Sequence, residues 1–303
     1  MKIAVEFPSI AYREGKAGII ALAQGIENIG YDEIAVFDHV VMGYPTDDRP
    51  GPIYPPQMPI LEAIVLLGLL ATVTERVSLS TEVLVLPQRQ PVLVAKQVST
   101  LDTLSGGRIR LGVGVGWQLA EYQALEEDFT NRGRRMDEAI ELMRAYWRDD
   151  TINYRGEFYD SEAIAMEPKP PQGGGLPIWV GGGSKAALRR TGRLADGWMG
   201  TAMPEDQLLA AMAEIRRHAE EAGRDPASIG MQLMLAPPPR DEASKGFYKN
   251  HDAVVARAEK IQSMGFDWTA VNATAIFQAG HRTIAAITDE LGELHTKLRA
   301  VVG

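Results

Sequence analysis

The 303-residue chain contains no cysteine, which excludes disulfides, a thiolate nucleophile and cysteine-ligated metal. It has no basic surplus either: 31 Lys and Arg stand against 40 Asp and Glu, for a formal net charge of −9. Nucleic acids and anionic membranes call for a basic surface, so neither is expected as a partner, and an anionic ligand would need a local donor site. Long hydrophobic runs are also missing. The longest, Ala63 to Ala71, contains one glycine and falls far short of the roughly 20 residues that span a bilayer. Histidine is scarce, with five in the chain, and no second one accompanies His39 at a candidate strand end. A barrel metallohydrolase needs several converging ligands, so no metal is expected. Met1-Lys2 leads directly into Ile3-Ala4-Val5 with Glu6 close behind, too short and too early for a signal peptide. The expected location is cytoplasmic.

What the chain does contain is alternation. Short apolar runs, bounded by turn residues, cover 2–7, 33–37, 77–86, 109–115, 177–180, 196–199, 229–235 and 268–271. Amphipathic segments lie between them. Ile19, Leu22, Ala23, Ile26 and Ile29 form one helical stripe, and Met136, Ile140, Met143, Tyr146 and Trp147 form another. Eight strand-helix units predict an α/β fold of one kind, a single TIM (β/α)8 barrel over residues 1–303 with insertions at its C-terminal face. The insertions are expected at about 150–172, where Tyr154, Phe158 and Tyr159 flank Arg155-Gly156 as in a hairpin, and at 236–250, which opens with three prolines and suggests a lid or a surface loop.

Active sites of such barrels lie at the C-terminal ends of the strands, and three segments there carry chemistry. Gly112, Gly114 and Gly116 alternate through one strand and end at Trp117, which is usual where another backbone or a flat ligand comes close. Asp38-His39 directly follows the second strand, so an imidazole able to exchange protons near neutrality stands beside a carboxylate. Ile178 to Val180 leads into Gly181-Gly182-Gly183 and a helix starting at Ser184, with Lys185 and Arg189 behind. Backbone N–H groups and a helix N-terminus suit a phosphate, although the spacing is neither a P-loop nor a dinucleotide fingerprint.

Taken together, Phe37-Asp38-His39, Ser80 to Pro87, Ala95-Lys96-Gln97 with Thr100-Leu101-Asp102, Leu104 to Arg108, Gly112 to Trp117, Ile178 to Gly182 and Ala195 to Trp198 resemble the luciferase-like oxidoreductases. The resemblance covers about residues 3 to 200 and implies a TIM barrel using coenzyme F420 or FMN. It implies that the ring lies across the mouth on the backbone of Thr81-Glu82-Val83, with a cis non-prolyl peptide at Glu82-Val83. It further implies that Val115, Gly116 and Trp117 wall the ring, that Val180 to Gly183 hold the phosphate, and that Asp38 and His39 sit near the reacting carbon. Sugar-phosphate dehydrogenases of this family carry a carboxylate where this chain has Val115, which argues against a sugar-phosphate substrate and leaves Glu6 as a replacement acid. The expectation is hydride transfer between F420 and a small organic substrate. The alternatives are an FMN monooxygenase fed by a separate flavin reductase, or a flavin-binding barrel without catalysis. Family members commonly pair through the helices after the second and third strands, so a homodimer is also expected.

Overall fold

Parallel pairing carries the chain through a full circle. A computed structural model describes residues 1–49, 51–236 and 246–303. Its strands are β1 (Lys2–Glu6), β2 (Glu33–Val36), β3 (Ser78–Thr81), β4 (Leu84–Val85), β5 (Ile109–Gly114), β6 (Ile152–Arg155), β7 (Asp160–Ile164), β8 (Ile178–Gly181), β9 (Gly197–Gly200), β10 (Gly230–Met234) and β11 (Trp268–Asn272). The order β3-β2-β1-β11-β10-β9-β8-β5 closes where β3 pairs with β5. Lys2 to Glu6 lie opposite Trp268 to Asn272 in register. The eight runs expected from the sequence are the eight staves of this barrel.

Ten helices surround it among the described residues: α1 (Gly15–Ile29), α2 (Ala63–Val73), α3 (Pro91–Ser105), α4 (Leu119–Ala124), α5 (Arg132–Arg148), α6 (Lys185–Leu194), α7 (Glu205–Glu221), α8 (His251–Ser263), α9 (Ala273–Ala279) and α10 (Ile284–Val302). The stripe of α1 buries Ile19, Leu22, Ala23 and Ile26 against the staves, and α5 buries Met136, Ile140, Met143, Tyr146 and Trp147. Removing such apolar faces from water is the main stabilising term. None of the described helices is long and apolar enough to cross a membrane.

Three expectations change in detail. The run 77–86 is not one continuous strand, because the cis Glu82-Val83 peptide divides it into β3 and β4. Glu82 N–H still donates to Val36 O on one side, while Leu84 and Val85 pair with Val113 and Gly114 on the other. The hairpin at 150–172 exists as β6 and β7, but it hangs from the opposite face. It follows α5, which returns the chain to the strands' N-terminal ends, and Gln172 beyond it is tied to Asp102 and to Ile109 O at the start of β5. The tip of the hairpin is held on α5, where the Glu138 carboxylate accepts the N–H groups of Glu157, Phe158 and Tyr159. Of the expected lid at 236–250, residues 237–245 lie outside the described residues. Among the described residues, the segments that extend the C-terminal mouth lie within 37–62, apart from residue 50, and within 115–131.

A charged layer fills the barrel interior. Arg110 pairs with Glu33, donates to Gln232 Oε1 at 2.6 Å, and lies against the rings of Trp179 and Trp268 at 4.2 and 4.4 Å. Ser80 Oγ donates to the same Glu33. Burying a guanidinium calls for compensation of this kind; Nε and Nη2 of Arg110 are met, and Nη1 is buried without a hydrogen-bond partner.

Candidate active site

The alternating glycines of β5 make room for protein rather than for a ligand. A Cβ on Gly112 would collide with the Thr81 carbonyl oxygen, one on Gly114 would lie 2.7 Å from Val83, and one on Gly116 would lie 2.6 Å from Val85. Each glycine therefore accommodates one residue of the divided neighbouring strand. Gly116 also has φ +67°, a conformation glycine adopts at little cost, and it turns the chain so that Trp117 emerges at the mouth. Thr81 is fully engaged, its hydroxyl donating to Gly112 O at 2.6 Å. Val180 is buried in the core, so only its backbone can face a ligand, and Val115 O accepts the Tyr122 hydroxyl.

His39 is held by a residue the sequence did not single out. Its Nδ1 lies 3.1 Å from Glu121 Oε2 in α4. Glu121 is out of solvent and also accepts Val40 N–H at 2.6 Å and Gln88 Nε2 at 3.1 Å. Burial alone would raise this carboxyl, but the hydrogen bonds from His39, Gln88 and Val40 outweigh it and hold the carboxyl below its ordinary value. The other ring nitrogen of His39, Nε2, has no hydrogen-bond partner among the described residues. The imidazole meets Trp117 edge-on at 5.4 Å and Tyr54 at 6.0 Å.

Asp38, expected to serve the ring or the imidazole, makes no bond to the imidazole. One oxygen pairs with Arg89 at 2.8 Å and the other accepts Val85 N–H at 3.2 Å. Burial raises its carboxyl above the usual value, and Arg89 and the Val85 N–H offset this only in part. Arg89 also pairs with Glu62, whose second oxygen caps α2 at Val65 N–H. Asp38 thus ties the β2 loop to β4 and to the start of α2.

Two other carboxyls meet at the mouth. Glu6 ends β1 and accepts Asn272 Nδ2 at 3.0 Å; Glu82 accepts Gln232 Nε2 at 2.9 Å, and its other oxygen is buried without a partner. Neither forms an ion pair among the described residues. Burial, and then the neighbouring Glu82, push the Glu6 carboxyl up to about 8. Burial and Glu33 raise Glu82 to about 7 against the pull of Arg110 and Gln232. Nearby, Tyr248 accepts Asn272 N–H at 2.8 Å, and burial raises its hydroxyl as well.

At the expected phosphate site, Ser184 Oγ caps α6 by accepting Ala187 N–H. The N–H groups of Lys185 and Ala186, in the first turn, are left without intrahelical partners. This fits an anion at a positive helix end. Gly182 N–H is not free, since it donates to Met199 O at 3.3 Å. Gly182 is instead set by backbone shape, with φ +112° and its carbonyl accepting Trp198 Nε1.

A family model described as luciferase-like monooxygenase matches residues 5–245. The chain belongs to this family. A Mycobacterium tuberculosis protein named only as uncharacterized is 38% identical over 213 residues, 68% of this chain and 72% of that one. An F420-dependent glucose-6-phosphate dehydrogenase from Nocardia farcinica is 35% identical over 54% of this chain and 50% of its own. An FMNH(2)-dependent dimethylsulfone monooxygenase from Pseudomonas putida is 26% identical over 89% of this chain and 70% of its own. Among solved structures, an F420-dependent secondary alcohol dehydrogenase superposes with a TM-score of 0.77 at 17% identity, covering 98% of this chain and 99% of its own. Family membership supports an oxidoreductase or monooxygenase, and the cis Glu82-Val83 peptide lies where the resemblance placed it. What the motifs missed is Glu121. Its signal was present in the spacing, since Gln118, Glu121 and Tyr122 share one face of a short helix just past Trp117 and are all buried.

Proposed function

We propose that the protein is an F420-dependent oxidoreductase that moves a hydride between the deazaflavin and a small organic substrate. The observation that carries this reading is the pairing, in one mouth, of an unpartnered His39 Nε2 backed by Glu121 with a Glu6 carboxyl raised to about 8. When bound, the coenzyme supplies or accepts the hydride at its ring carbon. Reduction of a C=O or C=N group then requires one proton on the heteroatom, and Glu6, which is protonated near neutral pH, holds it. Oxidation is the reverse of the same step and returns that proton to Glu6, while His39 Nε2 meets the substrate oxygen by a hydrogen bond and positions it. The phosphate would rest on the Lys185 and Ala186 N–H groups behind Gly183, and the ring beside Glu82-Val83, Gly116 and Trp117. Asp38 acts through the backbone it fixes.

The similarity to FMN-using monooxygenases keeps a second reading in view, in which a separate reductase delivers reduced FMN. Fluorescence titration with F420 and with FMN separates them. Binding of F420 alone supports the proposal, binding of FMN alone selects the monooxygenase, and binding without turnover on any substrate leaves a cofactor-binding barrel. We also propose a homodimer through α2 and α3, on which Val65, Leu93 and Leu104 are exposed. Sedimentation as a monomer at micromolar concentration would exclude it.

A further inference from the structure

We infer that the substrate presents an uncharged, apolar body to a platform formed by the two segments at the mouth, 37–62 and 115–131. This rests on the functional reading above and extends it to substrate class. The protein exposes twelve large hydrophobic side chains among the described residues, and half of them, Val40, Val41, Tyr44, Ile53, Trp117 and Leu119, lie on these two segments. Their exposures run from 38% for Trp117 to 58% for Tyr44.

The platform is fastened from beneath. Gln118 accepts Gly43 N–H at 2.6 Å and donates to Val41 O at 2.9 Å, while Glu121 accepts the N–H groups of Val40 and Val41. A Cβ on Gly43 would run into Ala120, so the two segments touch backbone to side chain. The N–H groups of Val40, Val41 and Gly43 and the Val41 carbonyl are thus taken up on the underside, and apolar side chains are what the stretch offers outward. A scattered apolar surface residue needs no explanation, but a fastened and contiguous set does.

Two observations fix the occupant. The platform is continuous with the site, because Trp117 is both part of it and the ring that meets His39. It is also poor in cations. Arg49 is the only Lys or Arg on the two segments, and it is bound to Tyr44 O and Gln123 Oε1, each at 3.1 Å. The two segments also carry the acidic Asp47, Asp48, Glu126, Glu127 and Asp128, of which Glu127 is paired with Arg135. A phosphate or carboxylate would be repelled here, whereas an alkyl or aryl body gains by leaving water.

The test is calorimetric titration of the full-length protein, with F420 present and absent, using acetone, 2-octanone and glucose 6-phosphate as probes. The expected result is that 2-octanone binds at least tenfold tighter than acetone and that glucose 6-phosphate gives no heat of binding. Val41→Ser and Leu119→Ser should each erode the preference for the longer ketone while keeping the melting temperature, the F420 affinity and the sedimentation coefficient. Preference for glucose 6-phosphate would overturn the inference. So would a change of oligomeric state in the variants with ketone binding intact, which would make the platform an interface between copies. If F420 fails to bind while the ketone preference holds, the cofactor assignment falls and the platform stands.

Discussion

Glu33 and Glu6 are both glutamates on neighbouring staves of one barrel, yet their surroundings assign them opposite tasks. Glu33 receives the Ser80 hydroxyl and the Arg110 guanidinium, which itself lies against the indoles of Trp179 and Trp268. Glu6 receives one amide from Asn272 and faces a second carboxyl. The first arrangement holds an ion in place. The second leaves a proton ready to move, because two poorly solvated carboxyls cannot both ionise cheaply. Glu82 links the two regions, since Gln232 accepts from Arg110 and donates to Glu82.

The largest way to break the comparison is Arg110→Met, which strips Glu33 of its counter-ion. A loss of about 3–5 kcal/mol is expected for an uncompensated buried charge, read from denaturant unfolding. Adding Glu33→Leu should recover much of it, and no recovery would mean that the contacts of Arg110 with Trp179 and Trp268, rather than the ion pair, hold the layer.

At the mouth the effect should fall on rate. His39→Ala is expected to lower turnover by about 10²–10⁴-fold with F420 affinity unchanged, and Glu121→Gln to cause a smaller loss in the same parameter. Steady-state kinetics beside a binding titration checks both. A stable His39→Ala protein with normal turnover would leave the imidazole no chemical role.

Protonation sharpens the contrast further. The folded state holds Glu6 at about 8 against an ordinary 4.5, so between those values it binds a proton that the unfolded chain has released. Stability contributed by this group therefore falls as pH rises from about 4.5 to about 8. Glu6→Gln should flatten that fall in melting curves recorded across the range, and should remove the decline in reductive turnover expected above pH 8. Glu82→Gln should shift the decline to lower pH, since it removes the neighbouring negative charge.

The smallest expected change is at the helix end. Ser184→Ala removes the cap of α6 and should cost about 1 kcal/mol. It also frees Ala187 N–H beside the proposed phosphate, so thermal melting with and without F420 should show whether bound cofactor offsets the loss.

The staves and the helical stripes were legible because burial imposes periods of 2 and 3.6 on any chain that forms them. Asp38 and His39 were legible because a strand end in a barrel is a known place. Glu121 was not, since it lies 82 residues from His39 and its neighbours spell only an amphipathic turn. The task of the β5 glycines also stayed open, because a glycine records that something comes close without naming it.

By itself, then, the sequence determined the closed parallel barrel, the absence of thiol chemistry and the position of the histidine at the mouth, all of which follow from residue type and local period. Tertiary structure alone decided that Glu121 rather than Asp38 serves His39, that Val83 and Val85 occupy the spaces the glycines leave, and that Glu6 and Glu82 share one mouth. These are meetings between distant segments. Their consequences for proton affinity depend on burial and charge at distances of a few ångströms, which closure of the barrel sets and linear spacing does not.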